Sequence, residues 1–213
     1  QEITLIDRTG TNSTKWDDLR ASFGEDGLLP VWVADMDFKT PLCVRQALHE
    51  AVDQGAFGYY KIPETYHQSI LTWEETRHDA HWKESWLRTT SGVVTGLFHV
   101  LSAITQPGDA VLVQTPVYYP FYRVIGHTGR RAVYSPLREE KGVYTPNLED
   151  LEQKITREHV KVFLLCSPHN PVGRVWTEDE LRAMLSICRR HEVQVISDEI
   201  HHDILMPGHR HIP

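Results

Sequence analysis

Two polar side chains, Asn170 and Asp198, follow apolar runs of the sequence and could act together on one ligand. Residues 160–166 (VKVFLLC) and 193–196 (VQVI) are rich in β-branched and aliphatic side chains, which predicts buried strands of a parallel sheet. Each run places its polar residue just beyond its end, where ligands bind in such sheets. A carboxamide and a carboxylate in these positions suit an aromatic ligand that carries a phenolic oxygen and a ring nitrogen.

A third candidate is the segment 91–96 (SGVVTG), which follows a predicted strand and opens a predicted helix. Its small residues would let the backbone amides of Gly92, Val93 and Val94 approach an anion, and the helix dipole favours negative charge there. The segment is neither a G-x-G-x-x-G fingerprint nor a P-loop, because no Gly-Lys-Ser/Thr follows. An ordinary tight turn is the alternative interpretation.

These motifs resemble those of a known family. Residues 167–173 (SPHNPVG) and 197–203 (SDEIHHD) are similar to segments of the fold-type-I pyridoxal-phosphate enzymes, the aspartate aminotransferase superfamily. Residues 15–17 (KWD), 29–38 (LPVWVADMDF) and 57–59 (FGY) resemble its cystathionine β-lyase branch of carbon–sulfur lyases. The similarity extends from about residue 6 to residue 213, and several motifs occur in the family's order.

The resemblance implies a role for each polar group at the predicted sheet edge. The family binds the phosphate of pyridoxal 5'-phosphate on the amides of residues 92–94. Asn170 would donate to the phenolic oxygen, and Asp198 would pair with the protonated ring nitrogen, which keeps the ring an electron sink. His201, three residues beyond Asp198, would contact the phenolic oxygen. The alternative for Asp198 is a simple turn residue.

Further roles follow from the same resemblance. Tyr118 would stack on the cofactor ring, a contact worth roughly 1 kcal/mol, and would share the catalytic site with Asp198 and His201. Tyr119, Asp35 and Asn170 would border the amino-acid substrate.

Tyr59 would reach across a homodimer to the neighbouring subunit's cofactor phosphate. The alternatives are that Tyr59, Tyr118 and Tyr119 are packed aromatics and that Asp35 is a surface group.

The bulk properties exclude several other classes. A net charge of −7 and the absence of a Lys/Arg cluster argue against nucleic-acid binding. No apolar run approaches the length of a membrane span. The three cysteines, Cys43, Cys166 and Cys188, are widely spaced without a CxxC pair, which predicts reduced thiols and a cytoplasmic protein. We expect Cys166 and Cys188 to be core residues.

A metal site is a hypothesis that the sequence does not favour. His201, His202, Asp203, His209 and His211 are close together in the chain. They lack an H-E-x-x-H or comparable helical spacing, however, and Pro207-Gly208 interrupts the run. We therefore predict no metal, and regard these histidines as packed or solvated loop residues.

The elements that must position these groups alternate between strand and helix. Strands are predicted at residues 87–90, 110–114, 131–135, 160–166 and 193–197, and helices at 93–105, 120–127, 148–156 and 178–191, the last with a Thr177/Glu180 capping box. Two earlier helices are expected, one capped by Thr40-Pro41 and ended by Gly55 and one over residues 66–81. This order predicts an α/β three-layer sandwich with a mainly parallel sheet. Residues 1–45 would form an amino-terminal arm with part of a small domain, and 46–213 the cofactor domain.

The resemblance also predicts that the chain is the amino-terminal half of an enzyme. The family's Schiff-base lysine lies some thirty or more residues beyond the position of Asp198, whereas only 15 residues follow it here. The chain is thus expected to be truncated and inactive by itself, within a parent β-lyase that acts on L-cystathionine or a related cysteine S-conjugate. An aminotransferase and a non-catalytic cofactor-binding module are the two alternatives.

Overall fold

The computed structural model describes residues 3–213, and contacts divide the chain into two compact units, Gln1–Lys61 and Ile62–Pro213. The sequence predicts a boundary after residue 45, whereas residues 46–61 group with the first unit. The assignment of residues 1–45 to an arm and of 46–213 to a cofactor domain stays a prediction about the whole protein.

The first unit contains three helices, α1 (Thr14–Asp17), α2 (Leu19–Phe23) and α3 (Leu42–Gln54). Helix α3 ends at Gly55, whose φ of 72° lies in the left-handed region that favours glycine, as expected. The predicted cap is wrong, because the residue before the helix is Pro41 and no side chain of the described residues caps it. Thr40 lies one position too early for its hydroxyl to reach the first helical amides.

A half-buried cluster of charged and polar side chains holds part of the first unit together. The Asp37 carboxylate accepts hydrogen bonds from Lys15 Nζ at 2.7 Å and from Trp16 Nε1 at 3.0 Å. These two donors hold the pKa of Asp37 below its usual range. Residues of the 15–17 and 29–38 motifs are therefore held together by direct contacts.

The second unit is built on a four-stranded sheet in the order β2-β1-β5-β6, in which all neighbours are parallel. The strands are β1 (Ala110–Thr115), β2 (Arg131–Pro136), β5 (Val160–Cys166) and β6 (Gln194–Asp198), and a separate antiparallel pair is β3 (Arg138–Glu140) with β4 (Val143–Thr145). The helices are α4 (Glu64–His78), α5 (Val93–Ile104), α6 (Pro120–His127), α7 (Leu148–Glu158) and α8 (Glu178–Arg190).

Apolar side chains cover both faces of the sheet. Because successive residues of a strand point to opposite faces, Ala110 and Leu112 pack in one cluster with α7 and α8. Val111 and Val113 pack in the other cluster with α5 and α6. The predicted three-layer α/β sandwich with a mainly parallel sheet is confirmed.

Local signals correctly predicted most of these elements. Thr177 and Glu180 form the capping box, with Glu180 N donating to Thr177 Oγ1 at 3.2 Å and Thr177 N to Glu180 Oε2 at 2.8 Å. The predicted strand 87–90 is wrong, because this segment follows a short 3-10 helix, Glu84–Trp86, without forming a ladder among the described residues. The β3–β4 hairpin was not predicted, since its Arg138–Glu140 strand is fully charged.

Within residues 3–213, none of the helices has both the length and the apolar character needed to cross a bilayer.

Candidate functional site

The candidate site lies at the carboxyl edge of the sheet. Strands β1, β5 and β6 end at Thr115, Cys166 and Asp198. From β1 the chain connects to β2 on one side and later to β5 on the other, so the order reverses between β1 and β5. A crevice at such a reversal is where open α/β sheets bind ligands.

Asp198 is the last residue of β6, and only 5% of it is exposed. Its Oδ1 accepts a hydrogen bond from Ile200 N at 3.1 Å. Burial raises the pKa of Asp198, although that backbone bond and the nearby His201 oppose the rise. Among the described residues no Lys, Arg or His forms an ion pair with this carboxylate. The site therefore holds a buried acid that lacks a cationic partner.

The loop 167–173 holds Asn170 beside that acid. Cys166 is paired with Asp198 in the β5–β6 register, and Ser167 N donates to Asp198 O at 2.9 Å. The amide of Asn170 in turn lies 3.4 Å from Cys166 Sγ. Asn170 is half-buried. These contacts bring the predicted carboxamide and carboxylate to neighbouring strand ends.

Cys166 is a structural thiol in this arrangement. It is buried, and burial raises the pKa of its thiol to about 12, so the thiolate nucleophile is not formed near neutral pH. Its carbonyl accepts a hydrogen bond from Trp176 Nε1 at 2.9 Å. Cys188 is also buried, as predicted, whereas Cys43 is exposed.

Tyr118 approaches the same crevice from the loop after β1. His169 Nε2 donates to Pro116 O at 2.8 Å and so ties this loop to the loop that carries Asn170. Burial raises the pKa of the Tyr118 phenol, and the charges of Tyr119 and Asp198 add to the rise. Tyr118 is thus close enough to Asp198 for the two groups to interact electrostatically.

Tyr119 lies next to Tyr118 but is more open. It is 53% exposed, its ring centroid is 5.4 Å from that of Tyr118, and the Arg123 guanidinium lies 5.0 Å from it. An exposed aromatic side chain beside a half-buried one is available to a ligand that enters the crevice.

The start of α5 supplies backbone donors on the same side of the sheet. Gly92 is the residue before the helix, and no side chain of the described residues caps the first turn. Val93 and Val94 follow, each 38% exposed. Leu97, one turn later, packs in the cluster that contains Val117, the neighbour of Tyr118. The open helix end can therefore receive an anionic group.

The remaining predicted residues fall into two groups. His201 is half-buried and close enough to Asp198 to oppose part of the rise in the pKa of that carboxyl, so it belongs to the same site. Asp35 and Tyr59 belong to the first unit. There Asp35 Oδ2 accepts a hydrogen bond from Arg8 Nη1 at 2.6 Å, and Tyr59 is fully exposed.

Sequence reasoning missed His169 and the contact of Cys166 with Asn170. His169 is 2% exposed and joins the two loops that carry Asn170 and Tyr118. Its position inside the 167–173 motif could have marked His169 as a site residue. Its contact with Pro116 could not be predicted from local sequence, because the two residues are 53 positions apart in the chain.

The chemistry of these groups fits pyridoxal phosphate. A buried carboxylate without a cation suits a protonated ring nitrogen, and an open helix end suits a phosphate. A half-buried tyrosine can cover an aromatic ring, while a nearby carboxamide can donate to a phenolic oxygen. No group in the crevice conflicts with such a ligand among residues 3–213.

Comparison with known proteins defines the class. The family model "Aminotransferase class I and II" matches residues 32–212, so the chain belongs to that family. Over 207 residues it is 42% identical to the cystathionine beta-lyase PatB of Bacillus subtilis (strain 168), an alignment that covers 97% of this chain and 54% of that protein. This likeness confirms the predicted resemblance to the cystathionine β-lyase branch.

Two solved structures are similar over nearly the whole chain. Cystalysin from Treponema denticola, which contains pyridoxal 5'-phosphate, has a TM-score of 0.91 at 38% identity, covering 99% of this chain and 54% of its own. The pyridoxal-phosphate-bound C-S lyase from Staphylococcus hominis has a TM-score of 0.91 at 34% identity, with the same coverage of 99% and 54%. The chain spans about half the length of these relatives.

Proposed function

We propose that the whole protein is a pyridoxal 5'-phosphate-dependent carbon–sulfur β-lyase acting on L-cystathionine or a related cysteine S-conjugate. The observation that carries the proposal is Asp198, a buried carboxylate without a cationic partner at the edge where the sheet order reverses. The likeness to the cystathionine beta-lyase PatB and to the Staphylococcus hominis C-S lyase supports the lyase branch.

The cofactor, when bound, supplies a conjugated cationic ring that disperses negative charge developing on the substrate's α-carbon. Asp198 would keep the proton on the ring nitrogen, because an ionised carboxylate and a cationic nitrogen attract each other strongly in a buried site. Asn170 would donate to the phenolic oxygen, with His201 beside it. The amides of Gly92, Val93 and Val94 would hold the phosphate, and Tyr118 would pack against the ring.

The overall reaction is a β-elimination followed by hydrolysis. A base removes the proton from the α-carbon, and the electron pair forms a double bond to the β-carbon as the carbon–sulfur bond breaks. The sulfur leaves as a thiolate and is protonated, while water converts the three-carbon remainder to pyruvate and ammonia. Tyr119, Asn170 and Asp35 are the proposed neighbours of the substrate.

An aminotransferase is the second candidate, because the matching family model carries that description and the cofactor groups would be the same. The two candidates differ in the fate of the carbon–sulfur bond. A lyase releases thiol and pyruvate in equal amounts, whereas an aminotransferase exchanges amino and keto groups and leaves the bond intact.

The test is an assay of the longest natural form with L-cystathionine and added pyridoxal phosphate. We expect free thiol and pyruvate to appear in a 1:1 ratio. Keto-acid exchange without thiol would establish the aminotransferase instead. Absence of both reactions, together with cofactor binding, would support a non-catalytic binding module.

We also propose a cytoplasmic homodimer with a shared active site. In helix α5, Leu97 and Leu101 are buried, whereas Phe98, Val100 and Ile104 are each about two-fifths exposed. These exposed apolar side chains suit an interface with a second subunit. Tyr59, fully exposed in its unit, is the proposed contact to the neighbouring subunit's phosphate. Light scattering that reports a monomer at micromolar concentration would contradict the dimer.

A further inference from the structure

A second cluster of ligand-type side chains lies outside the proposed cofactor site. His78, at the end of α4, meets His202 and His211 from the segment after β6. The ring centroids of His78 and His202 are 4.4 Å apart, and those of His78 and His211 are 5.7 Å apart. His78 and His211 are buried, with 5% and 1% exposure, whereas Asp203 at the edge of the cluster is open to water.

His202 is oriented as a ligand would be. Its Nδ1 donates to the carbonyl of Glu199 at 2.5 Å, which fixes the proton on that nitrogen and leaves the lone pair on Nε2. Nε2 is buried and has no hydrogen-bond partner among the described residues. Metal-bound histidines commonly donate their second ring nitrogen to a backbone carbonyl in this way.

Two carboxylates face the same nitrogen. Glu74 Oε1 lies 3.4 Å from His202 Nε2, and Asp203 Oδ2 lies 3.6 Å from it. A lone pair and two carboxylates repel one another unless a cation lies between them. The distances are close to the roughly 3.4 Å that separates two ligands of a tetrahedral Zn²⁺ with bonds near 2.1 Å.

His78 and Asp203 complete the set. One ligand atom from each of His78, His202 and Asp203 lies within 4.8 Å of the others. His78 Nε2 donates to Asp203 Oδ1 at 2.8 Å, and a bound ion would replace the proton that these two groups share. Trp73 Nε1 donates to both oxygens of Asp203, at 3.1 and 3.0 Å, and so orients the carboxylate. Such outer hydrogen bonds usually accompany a metal site.

We propose that this cluster binds a divalent transition metal of the Zn²⁺ type through His78, His202 and Asp203, with Glu74 beside His202. All four side chains are from the second unit, and none belongs to the proposed cofactor site. Two imidazoles and one carboxylate suit Zn²⁺, and Glu74 or a water molecule can take the fourth position. The ion would join α4 to the segment that follows Asp198.

The sequence alone did not favour this site. The prediction of no metal considered only the histidines after residue 200, which lack the spacing of a local motif. His78 and Glu74 enter from a helix more than 120 residues earlier in the chain, as the separation of 125 between His78 and Asp203 illustrates.

The test measures bound metal in the longest natural form after chelator treatment and dialysis against Zn²⁺. We expect about one equivalent of Zn²⁺ per chain in the wild type. His202→Ala should lower the affinity at least about 100-fold, more than loss of an outer hydrogen bond does. His209→Ala is the matched control, since His209 is an exposed histidine of the same segment, and should keep the wild-type affinity.

Two further variants separate metal binding from loss of fold. Asp203→Asn keeps the size of the side chain but removes a charged ligand, and should also release the metal while the far-ultraviolet circular dichroism is unchanged. Trp73→Phe removes only the outer donor and should weaken binding roughly tenfold.

Wild-type protein that retains no Zn²⁺ would overturn the proposal. Equal Zn²⁺ content in the wild type and His202→Ala would overturn it as well. Neither result depends on the β-elimination assay, so failure of the metal site and failure of the proposed function are distinguishable.

Discussion

Asp198 and Asp203 are five positions apart in one segment, yet their surroundings shift the pKa values of the two carboxyl groups in opposite directions. Burial without a cationic partner raises the pKa of Asp198. Burial also acts to raise the pKa of Asp203, but hydrogen bonds from His78 and Trp73 outweigh it and leave the pKa lowered. Asp198 forms no ion pair among the described residues, whereas Asp203 accepts hydrogen bonds from Trp73 and His78.

The difference follows from what each side chain meets. Asp198 lies near Tyr118 and beside the loop 167–173, and His201 acts on it without an ion pair being formed among the described residues. Asp203 meets α4, which presents an indole and an imidazole. Environments that push the pKa values of neighbouring acids apart are typical of sites where the acids have different roles.

The largest expected effect is on turnover. Asp198→Ala in the longest natural form should lower kcat for β-elimination by about 10²–10³, comparable to the loss of a key electrostatic group in other active sites. The ring nitrogen would lose its charge partner. Thiol release under saturating substrate is the measurement, with bound cofactor checked by absorbance. Equal turnover in wild type and variant would remove Asp198 from its assigned role.

A smaller effect is expected from substitution of Asp203, which should change the free energy of unfolding rather than the rate of β-elimination. Asp203→Ala removes the acceptor of the buried His78 nitrogen and should cost about 1 kcal/mol in chelator-treated protein. For a chain of this size that lowers the midpoint of thermal unfolding by about 2–4 °C.

Asp203→Asn is the control for that change, because its amide oxygen can still accept a hydrogen bond. It should lie between the wild type and Asp203→Ala. A Tm for Asp203→Ala equal to that of the wild type would mean that the His78 and Trp73 contacts contribute nothing to folding.

A neutral substitution at Asp198 should raise the stability of the folded chain, whereas Asp203→Ala should lower it. Folding raises the pKa of the Asp198 carboxyl. The group therefore favours the folded state at a pH below its pKa in the unfolded chain, and this contribution is lost as pH rises through its pKa in the folded chain. At pH 7 the cofactor-free Asp198→Asn variant should therefore unfold about 2 °C higher than the wild type. The gain should disappear as pH falls below about 4.

Thermal unfolding of the wild type and Asp198→Asn at several pH values tests whether the substitution stabilises the folded chain. A variant that is less stable than the wild type at pH 7 would show that the ionised carboxylate has a stabilising partner in the folded chain.

The smallest expected effect is at Asn170. Asn170→Ala removes one donor to the phenolic oxygen but leaves Asp198 in place, so kcat should fall less than tenfold while the absorption maximum of the bound cofactor shifts. Spectra and rates measured on one preparation test this. A loss of activity as large as that of Asp198→Ala would make the carboxamide, rather than the carboxylate, the dominant group.

Much of the fold followed from local sequence. The runs at 110–114, 131–135, 160–166 and 193–197 became β1, β2, β5 and β6, and the periodic segments between them became α6, α7 and α8. The prediction of a strand at residues 87–90 was wrong, because Leu87 is the only apolar residue in that segment. The β3–β4 hairpin was missed because its turn, at Lys141 and Gly142 with φ of 52° and 81°, connects strands without an apolar alternation.

The sequence by itself determined the sheet, its helices and the motifs that carry Asn170 and Asp198, because backbone preferences and apolar periodicity act between near neighbours. Only the tertiary structure decided that Asp198 is buried without a cation and that His169 joins two loops. It alone brought His78 to His202 and Asp203. Desolvation and contacts between distant residues depend on how whole elements pack, which no local pattern specifies.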